Sequence, residues 1–338
     1  MKSLITTINA WQEANKKFAI ARVIKTWNAA PRPVGSIMLI SEDQEMAGSV
    51  SGGCVEGAVV KAAQKVLTTG TTQLLEFGVS NDDAWTVGLS CGGRIEVLLS
   101  PFFPTLDPVW TNIQDAILDN QGSIWVTKLG NDGQQNALLK TDGTTVGALS
   151  DELRGKALQA YRERKSQRVE LKLESWFLHV LPKKSQLFLI GAAHLTADLI
   201  QLAHGFGFEC IVIDPRGIFA NKTQFPQAPD QLFNEYPSEV LSQFELDQDA
   251  YAVTLSHDPK IDDNALELLL DSPVAYIGAL GSRKTQAKRV DRLLEKGFAQ
   301  EAIDRIHGPV GVDINAKTPQ EIALSVLAEI IQIKNQHF

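Results

Sequence analysis

The sequence predicts an α/β protein of two domains, a mixed α/β N-terminal domain followed by a C-terminal domain built on a parallel sheet. Three observations predict it. Residues 186–214 read strand, glycine turn, helix, strand and then an acid, the order of a βαβ unit. The first hundred residues hold five strand-like apolar runs around one helical period, carried by Val55, Val59, Ala62, Ala63, Val66 and Leu67. Between the halves lies Pro-Lys-Lys-Ser-Gln at 182–186, a polar, proline-led boundary that sets the domains at 1–182 and 183–338.

In chain order, strands are expected at 18–27, 35–41, 46–50, 73–79 and 94–100. The helix follows Ser51-Gly52-Gly53, a strand-to-helix turn. Glycines admit positive φ and close ligand approach, and the unpaired first N–H groups of a helix favour an anion. Cys54 comes directly after the glycine pair. It reads either as a small residue in a tight turn or as a thiol made more reactive by the helix start. A second stretch favours chemistry: Cys91-Gly92-Gly93 precedes the strand bearing Ile95, Val97 and Leu99 on one face. A Cys54–Cys91 disulfide stays open. No CxxC pair or histidine cluster at ligand spacing points to a metal, and Cys210 reads as core packing. Arg32, in the proline-rich loop before 35–41, is either solvated or a fork of donors for phosphate.

A middle segment from about residue 106 is read as scaffold that continues the first sheet. It has helices near 107–118 and 151–165 and strands at 123–130, 136–141, 144–149 and 169–182. In the second domain the turn is Gly191-Ala192-Ala193-His194, and Asp214 falls 23 residues after Gly191, near the interval of a ribose-binding carboxylate. Alanine where the second glycine of G-x-G-x-x-G belongs hinders approach of a pyrophosphate. Arg216 either favours a phosphorylated ribose or is exposed. Further strands at 251–256 and 274–280 end in polar turns, the first bearing His257 at a carboxyl strand end, where such sheets collect ligands. Ser282 reads as the N-cap of a helix, and Gly281 and Arg283 make its start a candidate anion site. Lys284, Lys288 and Arg292 share one face of that helix, read as a solvated basic stripe. A last helix starts at Thr318, Pro319 and Glu321.

Composition narrows the function classes. The 338 residues carry 32 basic and 40 acidic side chains, and the net charge of -8 argues against a nucleic-acid binder. The N-terminus lacks the apolar core of a signal peptide, and no run approaches the ~20 apolar residues of a membrane helix. Three cysteines without an export signal point to the cytoplasm.

Together PRPVGSIMLI, GSVSGGCVEGAVV, LSCGGRIEVLL, LIGAAHLTADL, VIDPR, TLSHDPKID, YIGALGSRKT and GPVGVDINAKTPQEIALSVLAEI resemble the XdhC/CoxI family of xanthine dehydrogenase accessory proteins, over nearly the whole chain. The resemblance implies a cofactor-handling N-terminal domain and a Rossmann-like C-terminal one. It implies a chaperone more than a stand-alone enzyme, one that binds the molybdenum cofactor, supports its sulfuration and inserts it into a xanthine dehydrogenase-type client. A cysteine desulfurase partner and a homodimer go with it. On this reading Cys54 contacts the metal centre or relays sulfur, and Glu56 caps the helix or polarises a bound group. Ser51, Gly52, Gly53, Cys91, Gly92, Gly93 and Arg32 form the cofactor pocket. Gly191, His194, Asp214, Arg216, His257, Ser282 and Arg283 make up the C-terminal binding edge. Gly-Ala-Ala-His replaces the family's usual Gly-Ala-Gly-His turn, which bears on NAD(P) binding. The rival readings are an NAD(P)-dependent oxidoreductase with His257 as acid/base, and a binding scaffold whose Rossmann-like domain has lost its ligands.

Overall fold

The computed structural model describes residues 1–27, 30, 32–78, 93–105, 107–130, 135–217 and 225–336. The chain divides into two compact units, 1–183 and 184–338.

The first unit opens with α1 (Lys2–Glu13), β1 (Phe18–Trp27), β2 (Ile37–Ser41), β3 (Met46–Gly48), α2 (Glu56–Thr69), β4 (Gln73–Phe77) and β5 (Arg94–Phe102). The strands pair antiparallel in the order β3-β2-β1-β5-β4. Side chains alternate across a strand, so β1 sends Ala19, Ala21 and Val23 to one face and Phe18 and Ile20 to the other. Both faces are covered, which is why β1 is apolar almost throughout. On the first face α2 buries Val59, Ala63 and Val66.

The unit continues with α3 (Pro108–Leu118), β6 (Ser123–Leu129), β7 (Asn136–Lys140), β8 (Thr145–Val146), α4 (Asp151–Arg162), β9 (Gln167–Leu171) and β10 (Glu174–Leu181). This segment was expected to extend the first sheet. It instead builds its own antiparallel sheet, β8-β7-β6-β10-β9. The physical reason lies in α3, whose Trp110 and Ile113 join Ile20, Leu39 and Phe102 of the first sheet to Trp125, Leu138 and Leu181 of the second. Edge extension would have left these large side chains without a cover. Among the described residues, one cation is buried in this interior. Arg22 is 1% exposed, lies 4.0 Å over the Trp125 ring and donates to Thr127 Oγ1 at 3.0 Å. Burial pushes it down to about 9, so it stays protonated at neutral pH.

The second unit contains β11 (Gln186–Ile190), α5 (His194–Gly205), β12 (Glu209–Ile213), β13 (Gln231–Phe233), α6 (Pro237–Leu241), β14 (Ala250–Thr254), α7 (Pro259–Leu270), β15 (Tyr276–Ala279), α8 (Arg283–Glu295), α9 (Gln300–Ile303), β16 (Ile306–His307) and α10 (Pro319–Gln336). The six strands are all parallel in the order β13-β12-β11-β14-β15-β16. Leu187, Leu189 and Val253 pack under α5 and α10, while Phe188, Ile190 and Ala252 pack under α7. This is the doubly wound, Rossmann-like sheet expected, with its topological switch point between β11 and β14. The elements α1, β13, α6, α7, α9 and β16 are additions to those expected from pattern.

Candidate functional site

In the first unit, α2 begins without a side-chain cap from its N-cap residue Val55. Glu56 does the capping from inside the helix. Its carboxylate accepts from Ser49 Oγ at 2.6 Å and from the amides of Val50 (3.2 Å), Ser51 (2.9 Å), Gly52 (3.1 Å), Gly53 (2.9 Å) and Val55 (3.2 Å). Ser51 Oγ also donates to it, and that hydroxyl in turn accepts from Val55 N at 3.0 Å. Partial burial alone would raise this carboxyl, but the bonds from Ser49 and Ser51 outweigh it and hold it down at about 2. The turn is thus an anion nest with the chain's own anion in it. The amides of Gly52 and Gly53, expected to face a ligand, point to Glu56.

Gly52 (φ 78°) and Gly53 (φ 118°) are glycine for their backbone angles, since a Cβ at either would meet nothing within 4 Å. Cys54 is exposed at the tip of this turn. Arg32 is exposed in the loop joining β1 to β2, and Gly93 is buried just ahead of β5. Cys91 and Gly92 lie outside the described residues.

In the second unit, the β11–α5 turn is closed on itself. Gly191 N donates to Ile213 O (2.8 Å), Ala192 N to Asp214 Oδ2 (2.8 Å) and Ala193 N to Thr196 Oγ1 (3.2 Å). Gly191 has φ 114°, and a Cβ there would fall 2.6 Å from Ser256 N, so glycine is required by the neighbouring strand end. Asp214 is fully buried. Arg216 donates to it through Nε (3.0 Å), Nη2 (2.8 Å) and its amide (2.9 Å). Burial pushes the Asp214 carboxyl up, but these bonds and that of Ala192 prevail and keep it below the usual range. The expected ribose carboxylate is therefore occupied by Arg216 and the turn, and Arg216 is a clamp on Asp214.

His194 is exposed as the first residue of α5. Ser282 caps α8 by accepting from Thr285 N at 3.2 Å. His257, exposed with φ 60°, lines a pocket of 330 Å³ with Lys284, Lys288, Arg289 and Arg292. The basic face read as a solvated stripe is exposed at Lys284 and Lys288, and it also forms one wall of that pocket. Arg283 is exposed and does not line it. Pattern reading missed Asp262 and Arg289, which stand behind the wall, because nothing in their spacing marks them as partners. It also missed a group outside this edge. His204, Cys210 and Asp230 bring their ligand atoms within 4.8 Å of one another. Here Asp230 Oδ2 bonds both His204 Nε2 and Cys210 N at 2.8 Å, and burial pushes the Cys210 thiol up to about 12.

Fold and turns define a protein with an antiparallel α/β unit presenting an exposed cysteine and a doubly wound unit whose nucleotide turn is closed. Residues 187–330 match the XdhC Rossmann domain and residues 11–78 match the XdhC and CoxI family. The chain is 28% identical to a probable xanthine dehydrogenase subunit of Bacillus subtilis, over 99% of both proteins. It is 23% identical to the molybdenum cofactor insertion chaperone PaoD of Escherichia coli, over 95% of this chain and 85% of PaoD. A crystal structure described as a xanthine dehydrogenase from Bacillus halodurans superposes with a TM-score of 0.76 at 27% identity, over 98% of this chain and 96% of that one. The chain belongs to the XdhC and CoxI family.

Proposed function

We propose that this protein carries the molybdenum cofactor as cargo, supports its sulfuration and inserts it into a xanthine dehydrogenase-type molybdenum hydroxylase. Family membership and the chaperone name of one relative support the reading. The observation that carries it is Cys54, exposed on a turn whose backbone is locked by Glu56. A soft thiol held out to solvent on a fixed loop suits a sulfur-rich metal centre that must be bound and then released. Arg32 and Cys91 are the further candidates for cargo contact. Gly52 and Gly53 serve by permitting the turn, since their amides are engaged within it. A cysteine desulfurase as sulfur donor, a cytoplasmic setting and a homodimer complete the proposal.

The oxidoreductase reading needs a carboxylate open to a ribose and turn amides open to a pyrophosphate. Asp214 and the Gly191–Ala193 amides are committed elsewhere, which weighs against it. The test is a deletion strain and a Cys54→Ser strain, with molybdenum and cyanolysable sulfur assayed in the purified client. Both strains should yield a folded client depleted in cofactor or terminal sulfur, with the Cys54→Ser protein itself still folded. A fully loaded client from the deletion strain refutes the proposal.

A further inference from the structure

The 330 Å³ pocket of the second unit stands at the carboxyl ends of β14 and β15, where α/β sheets place ligands. Its wall is the start of α8. Lys284 and Lys288, one turn apart, are exposed and have no carboxylate partner among the described residues. Arg292 is held by Asp263 through two bonds of 2.6 and 2.9 Å. Arg289 is 2% exposed. Its Nη2 donates to Leu280 O at 3.0 Å, its Nη1 is bonded by Gln286, and Asp262 stands 3.9 Å away. Its Nε is buried with no partner among the described residues. Four cations thus face two carboxylates, an excess of positive charge on a chain whose net charge is -8.

We propose that this pocket binds a phosphoryl group, held by Lys284 and Lys288 at its mouth and by Arg289 at its back. Three features select that ligand chemistry. Two ammonium groups in excess favour a dianion over a carboxylate, and lysine binds phosphate as a point charge. Lys284 sits in the first turn of α8, where the helix dipole attracts anions. The volume lies at the small end of the roughly 300–1,000 Å³ of small-molecule sites, enough for a phosphoryl head and little more. Burial also pushes Arg289 down, so its charge is under-compensated until an anion arrives. The site differs from the β11–α5 turn, whose amides are spent, and it does not depend on the cargo reading of Cys54.

The experiment is calorimetric titration of the full chain with inorganic pyrophosphate, adenosine monophosphate and adenosine at constant ionic strength. Saturable binding of both phosphorylated probes, with none of adenosine, is expected. Tighter binding of the monophosphate than of pyrophosphate identifies a nucleotide as the source, and equal binding identifies the phosphoryl group alone. The double variant Lys284→Ala/Lys288→Ala should lose about tenfold or more in affinity, the scale of charge-assisted bonds. Both lysines are exposed, so its melting temperature should match the parent's. Lys296→Ala, which removes a lysine at the far end of α8 paired with Glu267, should bind as the parent does. Absence of saturable binding, equal binding of adenosine, or undiminished affinity in the double variant overturns the proposal.

Discussion

At the scale of single residues, Glu56 decides what the first site can do. At least seven donors converge on its two oxygens, among them five backbone amides. Glutamine keeps the shape but turns one acceptor into a donor that faces other donors. Glu56→Gln should therefore cost about 2 kcal/mol of stability, the penalty for leaving such groups unsatisfied. The pH dependence follows from the folded value of about 2 against an ordinary 4.5. Because the folded pKa is depressed, the stabilisation is complete above pH 4.5 and lost as pH falls toward 2. Chemical denaturation across that range should show the loss in the parent and a flatter profile in Glu56→Gln. The serines at 49 and 51 and the acid at 56 could be seen in the sequence, and so could the glycine pair. Their partnership could not, because spacing does not say whether turn amides point outward or back to the helix. The same holds for Asp214, whose position in the βαβ unit was legible but whose capture by Arg216 was not.

At the scale of elements, the parallel sheet was the most legible part, since β11 and β12 are continuous apolar runs flanking α5, the pattern of strands buried on both faces. The middle segment was the least legible. Its strands were visible as strands, but two antiparallel sheets sharing a core look the same in sequence as one longer sheet. What separates them is the size of Trp110 and Trp125, which fill an interlayer rather than an edge. The β11–α5 turn yields an element-scale prediction. Gly191→Ala adds a methyl 2.6 Å from Ser256 N in a left-handed backbone. Strain and overpacking together should lower stability by about 2–3 kcal/mol. The measurement is the denaturation midpoint, and a midpoint equal to the parent's contradicts the close approach of the two strand ends.

At the scale of the molecule, the family and the fold class were readable because motifs along nearly the whole chain kept their order. Arg22 was unreadable: in sequence it is one polar residue in a strand that could have pointed to water. Its position has a consequence for folding specificity. Two sheets stacked through apolar faces can slip by two residues on any strand and still bury hydrocarbon against hydrocarbon. A single cation inside that layer removes the degeneracy, because Thr127 and the Trp125 face meet the guanidinium in one alignment only. Arg22→Met should then keep or raise the melting temperature, as replacement of a buried charge by a hydrophobe of similar volume often does. Its amide spectrum should at the same time broaden or double in the first unit, reporting alternative alignments. A sharp, single set of resonances in Arg22→Met would mean that packing alone selects the alignment. Broadened or doubled resonances would make Arg22 an indexing pin, giving up some stability of the native layer to place every misaligned layer further above it.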